Sequence, residues 1–364
     1  MLSSGMAVSP GETLPTISGH RWRGTICAGL FLLALCTVSG AVRAQEPRFF
    51  RIGTAATAGS FFEIGGAIAA AISKPADSPA CEHGGSCGVP GLVAVAQATQ
   101  GSVENLRLIN GSQIESGFAQ ADLAGWAFAG TGAFAGTEPM TRLRAIASLF
   151  PESLHLVTRA DGPIQTLADL KGRRVSLGEP QSGTVANARV LLQEAGLGIP
   201  DLDARYLRPG QAAEELKEGT LDAFFLVGSY PVPAVRALAA AFPIRLVSID
   251  AGLARRMQEK YRFYRGSLIP ADSYPGVASE AATIGFNALW LVSAETDPDL
   301  VYAITKSLWS GATQELLAAR DRIGNRVRLV DALADLSVPL HPGAERFYRE
   351  AGLLSDGAPG AGSD

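Results

Sequence analysis

Short runs rich in β-branched and aromatic residues alternate along this chain with stretches whose apolar positions recur at helical spacing. Phe49–Ile52, Leu92–Gln97, Ser116–Ala119, Leu143–Phe150 and Leu154–Thr158 read as strands, with helices over Ser102–Asn110 and Asp122–Ala129 among them. The rhythm then repeats. A short helix ending in Leu167–Gly172 precedes strand Arg174–Leu177, which leads to a helix running to Ala195. Strand Asp203–Leu207 leads to a helix over Gln211–Glu218 closed by Gly219, and strand Asp222–Leu226 to the loop Gly228-Ser-Tyr-Pro231. Ile284–Val292 reads as one long strand. This βαβ succession predicts an open, mostly parallel α/β sheet, in which ligands sit beyond the carboxyl ends of the strands.

The two ends of the chain fall outside that rhythm. Arg21 and Arg23 precede an apolar core from Ile26 to Val38, followed by Ser39-Gly-Ala-Val-Arg-Ala44, the order of a secretory signal peptide cleaved after Ala44. The apolar run is too short to span a bilayer comfortably, which favours export to the periplasm over a retained N-terminal anchor. The approach to Arg21 is long for such a segment, so a translation start at Met6 or later stays open. Residues 355–364 contain only small, polar and proline residues and read as a disordered tail. About 310 residues remain, a length that usually folds as two lobes. We expect lobe one at 46–152 plus 293–354 and lobe two at 153–292, with the chain crossing near Pro151–Ser153 and again near Ala288–Ser293.

Composition narrows the partners. Beyond Ala44 the chain holds 28 basic against 34 acidic side chains. No basic run or arginine-rich helix is present, which argues against nucleic acid as a partner. Two cysteines survive signal removal, Cys81 and Cys87, in a Gly/Ser/Pro-rich segment; in an exported protein they should pair. With His83 they offer three ligands at most in a short loop, too few for a structural zinc site, so no metal is expected.

Three loops share one pattern of strand, Gly/Ser/Thr turn and helix: Gly53–Ser60, Ala98-Thr99-Gln-Gly101-Ser102, and Gln181-Ser182-Gly183-Thr184. Glycine permits close backbone approach, the hydroxyls donate, and a helix N-terminus favours an anion. Each alone is a common helix cap. Together, facing one cleft, they describe a two-lobed clamp. The first loop lacks the lysine of a P-loop and the spacing of a dinucleotide fingerprint, and no cofactor is implied.

The motifs Gly53–Gly66, Ala98-Thr-Gln-Gly-Ser-Val-Glu-Asn-Leu106, Ala119-Gln120-Ala-Asp122, Arg144 to Val157, Leu167–Gly178 with Ser182-Gly-Thr184, and Asp222-Ala-Phe-Phe225 occur in this order over roughly Arg51 to Ile249. In that order the chain resembles TAXI-type solute-binding proteins of the tripartite ATP-independent periplasmic (TRAP) transporters. The resemblance implies a two-lobed periplasmic-binding-protein fold, type II-like, with its ligand cleft between the lobes. It implies capture of a small organic anion, a carboxylate or amino acid of the glutamate or dicarboxylate kind, delivery to a TRAP-type membrane permease, and no catalysis. It places ligand contacts at Thr54, Thr57, Gly59 and Ser60, at Thr99, Gly101 and Ser102, at Gln120, and at Ser182, Gly183 and Thr184. Where the family commonly has a tyrosine pair, this chain has Phe61 and Phe62, which makes the pocket more apolar.

Other residues invite other readings. A periplasmic sensor subunit would use the same clamp toward a receptor. Gly84-Gly-Ser86-Cys-Gly88 matches the spacing of a nucleophile elbow with His155 and His341 downstream, but a serine hydrolase needs a strand before and a helix after the serine. His155, between two leucines, reads as a hydrogen-bonded core or hinge residue. Asp122 reads as a helix cap or a ligand contact. Of Trp126, Phe134, Phe224, Tyr230 and Trp290, a pair is expected at the cleft, and Arg144 and Arg208 are candidate partners for a ligand carboxylate.

Overall fold

The computed structural model describes residues 47–79, 81, 87–319 and 323–355. The expected signal segment, Ser86 and His83, and the tail beyond residue 355 lie outside these residues.

The first half of the fold is built on β1 (Arg48–Gly53), helix α1 (Ser60–Ile72), the short strands β2 (Ser73–Lys74) and β3 (Val89–Pro90), β4 (Leu92–Gln97), α2 (Ser102–Asn110), β5 (Ser116–Gln120) and α3 (Ala121–Ala129). Then comes β6 (Leu143–Arg159), which leads into the second half: β7 (Arg174–Ser176), α4 (Gly183–Glu194), β8 (Asp203–Arg205), α5 (Pro209–Glu218), β9 (Ala223–Gly228), α6 (Pro233–Ala241), β10 (Ile244–Leu246), α7 (Ala251–Lys260) and β11 (Arg265–Ile269). Strand β12 (Ala281–Ser293) returns to the first half, which α8 (Pro298–Leu308), α9 (Gly311–Ala318) and α10 (Pro342–Glu350) complete. Cys81 and Cys87 are joined by a disulfide between β2 and β3, with Cα atoms 4.8 Å apart.

One sheet runs β4-β1-β5-β12-β6-β9-β7-β8, with β10 added to β6 and β11 to β12. Its flanks are parallel, β1 with β4 and β5, and β7 with β8 and β9. Its middle is antiparallel, because β6 and β12 run against each other and against β5 and β9. The sheet is therefore mixed and not mostly parallel: strands that cross from one half to the other must run opposite ways, out and back. The expected strands Leu143–Phe150 and Leu154–Thr158 are one continuous strand. Pro151 does not end it, since the register shifts beside Phe150 and Ala147 bend the strand locally and absorb the irregularity.

Packing follows the crossing. Side chains up to Phe150 and from Ala288 onward share one core, while Leu154 to Phe286 supply two clusters on opposite faces of the sheet. The alternation along β9 shows it, with Phe225 on one face and Phe224 and Leu226 on the other. In the first core Phe118 meets Phe61 edge-on at 5.5 Å between ring centres and Trp290 at 6.3 Å. These rings lock α1, β5 and β12 together, and such pairs add to ordinary apolar burial.

Phe118 is fully buried. Phe118→Ala should therefore lower stability by about 3–5 kcal/mol in a urea melt, the usual range for truncating a buried phenylalanine.

Candidate functional site

Three helix N-termini converge on one cavity: α1 after Gly59, α2 after Gly101 and α4 after Ser182. The cavity leaves about 50 Å³ for the centres of water-sized atoms, room for a few waters or a comparably small solute. Gly59, Ser60, Gly101, Ser102, Gln120, Ser182, Gly183 and Thr184 all line it. Gly101 caps α2 at φ +116°, a conformation that a residue with a side chain rarely adopts, so the chain enters the helix at an angle only glycine allows. Gly183 is needed for another reason. A Cβ there would fall 1.6 Å from Gln120 Oε1, so α4 reaches Gln120 only without a side chain at this position.

The remaining expected contacts lie elsewhere. Thr54 is buried; its hydroxyl donates to the Gln97 carbonyl at 2.7 Å, and its own carbonyl accepts from Asn105 Nδ2 at 2.7 Å. Thr99 donates to the Thr54 carbonyl at 3.0 Å and accepts from the Gly101 N–H at 3.1 Å. Both threonines brace the turns that aim the helices. Thr57 lines an adjoining cleft with Thr99, Glu104, Glu179, Arg208 and Gln211.

One hydroxyl in the cavity, that of Ser60, joins the two halves. Ser60 Oγ donates to the Ser229 carbonyl and accepts from the Ser229 N–H, each at 3.1 Å. Beside it the Ala234 N–H donates to the Ala58 carbonyl at 3.2 Å. On the other rim Arg107 Nη1 donates to Gln181 Oε1 at 2.8 Å, and the Gln181 N–H donates to Gln100 Oε1 at 3.3 Å. Thr184 Oγ1 accepts from the Val227 N–H at 3.1 Å, tying α4 to β9. Ser102 Oγ donates to Gln120 Oε1 at 3.1 Å.

Other side chains fall differently from the sequence expectation. None of Trp126, Phe134, Phe224, Tyr230 and Trp290 lines the cavity; its aromatic wall is Phe61 and Phe225. The alternation along each strand decides this, and period alone does not tell which face meets the ligand. Arg144 donates to the Thr141 and Leu143 carbonyls, and Arg208 pairs with Glu179 at 3.2 Å with its side chain 77% exposed, so neither guanidinium enters. Asp122 does not cap α3, whose N-cap is Gln120, and it is absent from the cavity wall. His155 is buried as expected, with Nδ1 2.9 Å from the Ser153 carbonyl and Nε2 2.9 Å from Tyr274 Oη; burial pulls its pKa down to about 4 and holds it neutral. His341 caps α10 and bonds the Thr296 carbonyl.

Sequence reading singled out Asp122 but not Glu152. Glu152, in the middle of β6 opposite Phe286, is 2% exposed and lines the cavity. Burial is the main cause that lifts its pKa to about 8; nearby Asp122 adds to the rise, and a hydrogen bond with the Gln120 side chain offsets part of it. Asp122 is 1% exposed, and burial raises it to about 7, although the Leu123 N–H, Asn187 and Tyr264 lie near enough to oppose the rise. Neither Asp122 oxygen, nor Glu152 Oε2, has a hydrogen bond of ordinary geometry among the described residues. The signal was present in the sequence as Pro-Glu-Ser at the strand crossing, an acidic residue inside an apolar run, but nothing there tells which way it points.

A two-lobed α/β fold closed over a small cavity is what these elements define. The chain belongs to the NMT1-like family, whose pattern it matches over residues 52–352. A putative aliphatic sulfonates-binding protein of Escherichia coli (strain K12) is 32% identical over 82 residues, 22% of this chain, and the match spans only 25% of that relative's length. Among solved structures, the alkanesulfonate-binding protein SsuA from Xanthomonas axonopodis pv. citri bound to MOPS is similar with a TM-score of 0.45 and 18% identity, over 84% of each chain. A putative phosphate ABC transporter substrate-binding protein with bound phosphate from Clostridium perfringens gives a TM-score of 0.42 and 13% identity, over 75% of this chain and 98% of that one.

The buried carboxyls set a pH dependence whose sign is fixed. An acid whose folded pKa exceeds its unfolded value keeps extra protons in the native state, so stability falls as pH rises toward the folded pKa. Between pH 6.5, the ordinary histidine value below which His155 works the other way, and about 8, the Glu152 value, the carboxyls dominate. Urea melts of the ligand-free protein should lose stability across that window, at up to about 1.4 kcal/mol per pH unit for each group. Glu152→Gln should flatten the slope; an unchanged slope would mean the carboxyl titrates normally.

Proposed function

We propose that the protein is an exported, periplasmic solute-binding protein that captures a small organic anion, a carboxylate or amino acid, by closure of its two halves and hands it unchanged to a membrane permease. The observation that carries this reading is the convergence of three helix N-termini, from both halves, on one closed cavity. The first N–H groups of a helix lack intrahelical partners and carry the positive end of its dipole, so they receive an anion without a charged side chain. The aliphatic sulfonate named for the curated relative is also a small organic anion, which supports the class. The order of motifs over Arg51 to Ile249 supports a TRAP-type permease as the partner. Lobe one, at 46–152 plus 293–354, and lobe two, at 153–292, would be the moving bodies.

Binding without catalysis is favoured by what lines the cavity. Among the described residues its hydroxyls have no histidine or lysine beside them, the side chains that most often activate a serine or threonine.

Closure selects the ligand-bound form because only that form engages both sets of loops. A thermal-shift screen of the mature protein against organic anions tests this directly, since a ligand at a hundred times its dissociation constant adds about 2.7 kcal/mol of stability. Hits should be recovered chemically intact after incubation, and turnover would sink the reading.

Gly183→Ala tests closure. The new methyl must push Gln120 aside, so affinity measured by calorimetry should fall at least about tenfold, equivalent to about 1.4 kcal/mol. Folding should be nearly unaffected, because alanine suits a helix better than glycine. Ser60→Ala removes both bonds to Ser229 and should weaken binding in the same sense; wild-type affinity in both variants would mean the halves do not close on the solute.

A further inference from the structure

A second space adjoins the cavity. The cleft lined by Thr57, Thr99, Glu104, Arg208 and Gln211 is the wider of the two, about 440 Å³ against about 50 Å³ for the cavity. Ala56, Gln100 and Glu179 line both, so the two spaces meet at these residues. The segment from Leu207 to Ala212 divides them: Leu207, Pro209 and Ala212 face the cavity, and Arg208, Gly210 and Gln211 face the cleft. The meeting point is also a seam between the halves. Ala56 and Gln100 come from the first half, Glu179 and the dividing segment from the second, and the Gln181 N–H donates to Gln100 Oε1 at 3.3 Å across it.

Charge is unevenly placed at this seam. Across both linings the carboxyls are Glu104, Glu152 and Glu179, and the one cationic side chain among the described residues is Arg208. The Glu179 side chain is 9% exposed and forms part of the wall. Burial is the main cause that raises its pKa; Arg208 opposes the rise and the Glu104 charge adds to it. Arg208 is the free-standing member of the pair, 77% exposed, with Nε donating to Glu179 Oε1 at 3.2 Å. Glu104 does not compete for it, because Oε2 accepts from the Gln100 N–H at 2.7 Å and stays with its own loop. An ion pair with one partner in water is weak and readily exchanged. The guanidinium can therefore turn to an arriving anion and form a charge-assisted bond with it.

We propose that the Glu179–Arg208 pair gates the passage between cleft and cavity, and that Arg208, by leaving Glu179 for an incoming anion, admits anionic solutes faster than neutral ones. The inference rests on the reading of this cavity as the solute site and adds a route and a sorting step to it. Without Arg208 the passage presents Glu104 and Glu179 alone to an approaching anion, and like charges repel. Without the Glu179 charge the guanidinium stands free to attract it. The effect acts on the rate of entry and fades as salt screens it.

Alkylation of a thiol placed inside the cavity reads passage directly. Ala212→Cys supplies the thiol from the dividing segment and Ser102→Cys, nearly isosteric, from the first half; both residues line the cavity. Cys81 and Cys87 are joined and do not react. Iodoacetate and iodoacetamide are nearly equal in size, and the thiolate displaces iodide from each. The ratio of their rates therefore cancels any change in thiol acidity and leaves the effect of charge. At about 10 mM ionic strength Arg208→Gln should lower the iodoacetate-to-iodoacetamide ratio at least about threefold and Glu179→Gln should raise it. Both shifts should shrink near about 1 M salt, where the screening length falls to about 3 Å. Arg328→Gln, at an exposed arginine found in neither lining, should leave the ratio unchanged. Thermal melts check that each variant folds. A ratio indifferent to Arg208→Gln, an equal shift from Arg328→Gln, or a thiol that neither reagent reaches in either reporter overturns the gate. The reagents report passage and not affinity, so a screen of organic anions without hits would sink the solute-site reading independently of this ratio.

Discussion

The antiparallel pairing of β6 with β12 is the constraint on which the rest of the molecule depends. From Leu143 opposite Ser293 to Ser153 opposite Gly285, the two strands form the backbone ladder shared by the two halves. Each half alone would be a small parallel sheet with an open edge, a liability that proteins usually cover. Here the crossing strands cover both edges at once. They also divide the apolar side chains into a first core and the paired clusters of the second half. The loops that reach the cavity are the ends of the strands flanking this ladder, so the site and the junction are products of one arrangement.

Much of this was legible in the chain. The Gly/Ser/Thr turns after Ile52, Gln97 and Leu177 announced helix starts, and seven residues named on that basis line the cavity. Less legible was the role of each hydroxyl. Thr54 and Thr99 look like ligand donors in sequence, yet in space they satisfy carbonyls that the turns would otherwise leave bare. Ser60 looks the same and bonds a peptide two halves of the fold away, at Ser229, a partner that no local pattern reveals. Glu152 was hidden for a geometric reason. In a strand buried on both faces, polarity no longer alternates, so an acidic residue gives no hint of which side it serves.

The electrostatics of the two halves are economical in a specific sense. Ion pairs such as Arg51–Glu115, Arg174–Asp222 and Lys260–Glu194 are at least partly exposed, and they support the outer surfaces. Contacts between the halves mix neutral bonds, Ser60 to Ser229 and Gln100 to Gln181, with charged ones, Arg107 to Gln181, Arg326 to Ser229 and the Arg265–Asp335 ion pair. A neutral bond between two surfaces is cheaply exchanged for water, whereas a buried ion pair is not.

The place of Glu152 within the crossing strands has a mechanical consequence. When two bodies swing about a shared ladder, points near that axis travel least and points at the far rim travel most, as on any lever. Under the closure proposed above, Ser60 and Gln181, which hold partners in the other half, would part from them, whereas Glu152 belongs to the ladder shared by both halves. The Glu152 side of the cavity would then be its stationary part. A solute leaving such an opening cleft would lose its hold on the moving walls first, and its release would have a direction built into the fold.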